Sequence, residues 1–182
     1  MIGRLDFGAG APGRGFGVFD GDPQEAGSLA TVFRFAGFSS RTARGRRMRR
    51  LPGLIDELAA VWQFPLGFRE TWEGLARCLS SGLGAEPGGG YVTVLLDPGE
   101  VLVDEPAAHL AALVATLSEA MTAWAGRGVP FGVVLSGEDG AATRARPRWE
   151  AAGARLIDLP SHRVLLKRVG VDPAALDERG WS

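Results

Sequence analysis

The chain has 182 residues, 46% hydrophobic and 23% charged, an ordinary globular composition with enough length for a substantial core. It has no apolar run of membrane-spanning length, no basic-then-apolar leader at its start, and one cysteine, Cys78, which cannot form an internal disulfide; the expected setting is a reducing cytoplasm. The net charge of −1 conceals a segregation, with residues 51–139 at −9, residues 1–50 at +5 and residues 140–182 at +3.

Gly15 to Gly21 predicts a short strand between turn residues, and the alternation Thr31-Val32-Phe33-Arg34-Phe35 predicts a second. Arg41 to Arg50 holds six arginines in ten residues. Such a run can contact phosphate; without interleaved aromatics it reads more simply as a solvated loop. Pro52 opens a helix whose apolar face is Leu54, Ile55, Leu58, Val61 and Trp62. A second helix is expected from Thr71, an acceptable N-cap, with Trp72, Leu75, Cys78, Leu79 and Leu83 at helical spacing. A glycine-rich loop, Gly82 to Gly90, leads into the buried-strand signal Tyr91 to Leu96. After the turn Asp97 to Glu100, Val101 to Val103 either continue a strand or cover a gap. A long helix is expected from Glu105 to Ala125, and a second buried strand at Phe131 to Leu135. Strand, long helix, strand is a βαβ unit, which implies parallel pairing and a right-handed crossover. Beyond Gly140, Arg148 to Gly153 reads as a short helix. Ala154 to Leu159 and Arg163 to Val169 read as strands, either a hairpin or separate. No linker interrupts the chain, so one domain over 1–182 is expected, with a core at about 51–136, an N-terminal extension 1–50 and a C-terminal extension 140–182.

The run Phe64-Pro65-Leu66-Gly67-Phe68-Arg69-Glu70-Thr71-Trp72-Glu73-Gly74-Leu75-Ala76-Arg77-Cys78-Leu79 resembles, without gaps, the signature of the barstar family. That signature is a phenylalanine-proline pair, an aromatic or Tyr-Phe loop, a helix start Asn-Trp-Asp-Ala-Leu, and then Cys-Leu. The element order from Leu51 to Ser136 resembles the family's as well. Val32 to Phe35 would then supply the family's first strand and the arginine run an insertion. The resemblance implies an α/β fold, a small parallel sheet packed with helices, here elaborated by extra N- and C-terminal strands. It also implies a non-catalytic protein that binds and inhibits a toxin, such as a basic ribonuclease, in an immunity or antitoxin role.

In that family the loop and second helix meet the partner, and acidic side chains there occupy the nuclease's phosphate site. The residues placed on that surface here are Gly67, Phe68, Glu70, Glu73, Ala76, Arg77, Ser80 and Ser81. Glu73 keeps a carboxylate, but Arg77 stands where the family carries an important acid and Gly67 where it carries an aromatic ring. An arginine facing basic catalytic groups would repel them. The alternative function is therefore a barstar-like scaffold reused for another protein, or for nucleic acid through Arg41 to Arg50. The acidic middle suits a basic partner, or else the basic ends fold against it and cancel it. Trp72 and Cys78 also read as core residues, and Glu73 and Arg77, four apart, also read as a pair on an exposed helix.

Enzymatic chemistry finds little support. The two histidines, His109 and His162, have no second histidine or cysteine at metal-ligand spacing, so no metal and no cofactor are expected. No nucleophile elbow or phosphate-binding loop occurs. Gly8 to Gly13 has neither a strand before it nor a helix after it, and it contains Pro12. A Cys78–His dyad would need Cys78 to face outward.

Overall fold

The computed structural model describes residues 14–81, 83, 86 and 88–170. Its centre is a five-stranded parallel sheet. The strands are β1 (Arg14–Gly21), β2 (Ser39–Arg44), β3 (Tyr91–Leu96), β4 (Phe131–Glu138) and β5 (Leu156–Asp158), in the spatial order β2-β3-β4-β1-β5. The helices are α1 (Pro23–Phe35), α2 (Leu51–Trp62), α3 (Trp72–Ser81), α4 (Ala107–Ala125), α5 (Ala141–Ala151) and α6 (His162–Arg168). This is the expected α/β class, with a parallel sheet elaborated at both ends of the chain.

Side-chain alternation along the strands divides the core into two layers. Tyr91, Leu95, Phe131, Val133 and Leu135 point to one face, where α2, α3, α4 and α5 cover them with Leu58, Trp62, Leu75, Leu79, Leu117 and Trp149. Val92, Val94, Val134 and Phe19 point to the other, under Leu29 and Phe33 of α1 and Leu165 and Leu166 of α6. The layering follows from the order of the strands. The connections β2 to β3, β3 to β4 and β4 to β5 advance across the sheet in one direction, and β1 to β2 returns in the other. With right-handed crossovers, the returning helix α1 must lie on the opposite face.

Three expectations for the extensions are corrected. Thr31 to Phe35 is the last part of α1, not a strand. Asp22 caps that helix through the Glu25 N–H at 2.8 Å, Glu25 answers toward the Asp22 N–H, and Pro23 stands in the first turn. This capping box sets a helical register in which Leu29, Ala30, Val32 and Phe33 are buried. The first strand of the barstar-like portion is therefore β2, and it contains Arg41 and Arg44. The rest of the arginine run is a 3₁₀ turn, Gly45–Arg47, leading to α2. Arg163 to Val169 belongs to α6 and its cap rather than to a strand, with Leu165 and Leu166 on the buried side. No hairpin forms, because β5 pairs with β1 in parallel. The helix expected from Arg148 begins earlier, at Ala141, and tolerates Pro147 within it. The stretch Gly8 to Gly13 lies outside the described residues, as does part of the Gly82 to Gly90 loop.

Candidate partner-binding surface

The loop between α2 and α3 is built by local bonds. Gln63 takes a left-handed conformation that ends α2, and Phe64 N–H donates to the Ala59 carbonyl at 3.0 Å. A β-turn follows, with Phe68 N–H donating to the Pro65 carbonyl at 3.0 Å. Its third residue, Gly67, has φ of +86°, the region that a turn of this kind reserves for glycine. The Phe68 ring folds back edge-on to Phe64, with centroids 5.1 Å apart. Leu66 is left fully exposed at the apex.

The Thr71 hydroxyl then accepts the Gly74 N–H at 3.1 Å, the N-cap expected from the sequence. At Gly74 the helix touches its own entry loop, for a Cβ there would lie 2.0 Å from the Arg69 carbonyl oxygen. Trp72 is half-buried and stacks on His109 of α4 at 6.4 Å. Leu75, Cys78 and Leu79 are buried. At the far end the Trp124 indole N–H donates to the Leu79 carbonyl at 2.7 Å and Arg127 to the Ser80 carbonyl at 2.8 Å. The Arg127 guanidinium also lies 4.7 Å above the Trp124 ring. A cation on the last carbonyls of α3 complements the helix dipole.

The structure thus brings the sequence-selected residues onto one loop and one helix. Gly67, Glu70, Glu73, Arg77 and Ser81 are exposed, and Phe68, Ala76 and Ser80 are partly so. Among the described residues no ion pair includes Arg69, Glu70, Glu73 or Arg77, so the helical Glu73–Arg77 pair is not made. Sequence reasoning passed over Leu66, Gly74 and the capping role of Arg127. A glycine in the first turn of a helix was the available signal for the second of these. Burial pushes the Cys78 thiol up, against a smaller opposing effect of Arg77, and a thiol so held is a poor nucleophile.

The arginine run turns toward the acidic middle. Arg46 pairs with Asp97 at 3.0 Å, Arg47 with the buried Glu57 at 3.5 Å, and Arg49 with both Glu100 and Asp104. Glu57 also accepts the Arg44 backbone N–H at 2.9 Å on the outer edge of β2. Three of the six arginines therefore pair with the chain's own carboxylates while their side chains stay exposed.

In open parallel sheets, ligands favour the crevice where the direction of winding reverses, at the carboxyl ends of the strands. Here that point lies between β1 and β4, and the protein's own Asp20 fills it. Its carboxylate accepts the Ala142 and Thr143 N–H groups at 2.8 and 2.9 Å and the Thr143 hydroxyl at 2.6 Å. Among the described residues no cluster of His, Cys, Asp and Glu is arranged to hold a metal ion, and no helix is long and apolar enough to cross a membrane.

A family model described as Barstar (barnase inhibitor) matches residues 38–136, more than half of the chain. The match opens just before β2 and closes within β4, so it takes in the arginine run and leaves β1, α1, α5, β5 and α6 outside. No curated protein matches the chain. Among solved structures the chain is similar to the crystal structure of Cdc6p from Pyrobaculum aerophilum, at 16% identity and a TM-score of 0.47. That match covers 87% of this chain and 44% of the other, so the chain spans less than half the length of that protein.

Proposed function

The chain belongs to the barstar family, and from that premise we propose that it is a non-catalytic protein that binds and inhibits a toxin of the ribonuclease class through the loop 64–71 and the outer face of α3. The observation that carries this reading is that the surface is both exposed and held firm. A bonded turn, a threonine cap and donors from Trp124 of α4 and from Arg127 just beyond it fix its backbone, while Gly67, Glu70, Glu73, Arg77 and Ser81 stand in solvent. A surface ordered before binding loses little entropy on association. Glu70 and Glu73 are the groups that would occupy a phosphate-binding site in place of substrate. A lone buried thiol is compatible with a reducing cytoplasm, where we place the protein.

Co-expression with toxins encoded beside its gene tests the proposal. Growth should be rescued and a stable complex recovered. If no neighbouring toxin is bound or neutralised, the proposal fails.

One observation favours a second reading, that the scaffold serves a partner unlike barnase. Arg77 is exposed, and in no ion pair among the described residues, at the position where the family carries an acid. A guanidinium presented to a cluster of basic catalytic groups opposes docking. The unmodified chain is therefore expected to inhibit barnase weakly, and Arg77→Asp to lower its inhibition constant by about tenfold or more. Inhibition of barnase on a fluorogenic RNA substrate measures both. Tight inhibition by the unmodified chain that Arg77→Asp weakens would reverse this assignment.

A further inference from the structure

The charges on the outer face of the loop and α3 are balanced: Arg69 and Arg77 against Glu70 and Glu73, none of them in an ion pair among the described residues. A surface shaped only for a cationic site would carry one sign. This surface instead complements itself. Glu73 and Arg77 lie one turn apart on a straight helix, about 6 Å along its axis. Two such helices packed antiparallel about a two-fold axis set Glu73 of each against Arg77 of the other, giving two equivalent ion pairs. The side chain between them on the exposed side is Ala76, small enough for the helices to approach closely. On the loop that leads into this helix Leu66 stands in full contact with water, at the apex of a hydrogen-bonded turn. A lone exposed leucine is unremarkable; on the loop entering a helix with self-complementary charges, it offers apolar area that an isologous contact could cover.

We propose that the chain self-associates through this face as a two-fold dimer, with reciprocal Glu73–Arg77 pairs at its centre and Leu66 covered at its margin. The dimer stands on the charges and exposure alone. Its consequence rests on the function proposed above: a toxin and a second copy would compete for one surface, so the dimer is a stored form that the toxin must open.

Sedimentation equilibrium of the full chain tests this, from about 5 µM to about 500 µM, the span in which a modest interface reveals itself. The unmodified chain should pass from monomer to dimer, and added salt should weaken the dimer. Glu73→Arg and Arg77→Glu should each weaken association about tenfold by setting like charges opposite one another. The double variant carrying both substitutions should restore it, and Leu66→Ser should weaken it independently of charge. Circular dichroism verifies that these surface variants fold. A chain that stays monomeric throughout overturns the proposal. So does a dimer that both single reversals leave unchanged, or a double variant that fails to recover. None of these results depends on whether a toxin is found, so failure here is separable from failure of the toxin reading.

Discussion

Two glycines at the candidate surface do different physical jobs, and alanine substitution separates them. Gly67 has φ of +86° with nothing within 4 Å of the place a Cβ would take. Gly67→Ala therefore meets only the cost of a left-handed backbone, about 1 kcal/mol. Gly74 has an ordinary helical backbone, but its Cβ would fall 2.0 Å from the Arg69 carbonyl oxygen and 3.3 Å from the Phe68 ring. Gly74→Ala must push the loop off the helix, and it should cost more, about 2–3 kcal/mol. Urea unfolding of the two variants orders them; equal losses would mean that loop and helix are not in register as described. At this scale the sequence exposed much of the surface. Helical spacing alone separates Leu75, Cys78 and Leu79 from Glu73, Arg77 and Ser81. It does not disclose Leu66 or the bond from Arg127 to Ser80, because both depend on where a turn and a second helix bring groups that are distant in the chain.

At the scale of elements, the junction between the arginine run and the segment before α4 is the clearest electrostatic contact. Arg49 donates to both oxygens of Asp104, from Nε and Nη2, each at 2.9 Å, and also reaches Glu100. This planar fork suits a guanidinium and a carboxylate. The hydrogen bond from Arg49, more than its charge, holds the Asp104 carboxyl below its ordinary value of 3.8. Asp104 is thus the stronger acid in the folded chain, so the stabilisation is complete above the ordinary aspartate value and is lost as the pH falls through the lowered one. Arg49→Gln should therefore be less stable than the parent at neutral pH, and the difference should shrink on acidification well below 3.8. Denaturant midpoints across that range measure it. A difference independent of pH would show that Asp104 is not the partner that matters. Elements were also where sequence reading met its limits. Val32, Phe33 and Phe35 favour strands locally, yet the Asp22–Glu25 capping box and Pro23 start a helix early enough to absorb them. The long α4, with many turns of consistent spacing, left no such ambiguity.

At the scale of the molecule, the family match and the folded sheet do not coincide, and the mismatch has a consequence for folding. Residues 38–136 contain β2, β3 and most of β4 with α2, α3 and α4. They do not contain β1, which pairs with β4 from Arg14↔Phe131 to Gly21↔Glu138 and separates it from β5. Nor do they contain α1 and α6, which cover Val92, Val94 and Val134 on the second face of the sheet. Pattern along the chain revealed β1, β3, β4 and the region of β5, and the parallel sense of β3 and β4, but not β2, whose residues read as a loop. It could not reveal that the first strand inserts beyond the last family strand, because that pairing joins segments far apart in sequence. A protein cut to residues 38–136 would present an open β4 edge and an uncovered apolar layer, both of which invite association with other chains. We therefore expect residues 14–170 to unfold cooperatively as one unit. Residues 38–136 alone should aggregate or melt without a cooperative transition. Gel filtration and thermal unfolding followed by circular dichroism distinguish the outcomes. A monomeric 38–136 fragment with a sharp transition would make β1, α1 and α6 an attachment to a self-sufficient barstar-like core. An aggregating one makes them part of that core, and it then ties the orientation of α3, through the sheet it packs on, to segments outside the family match.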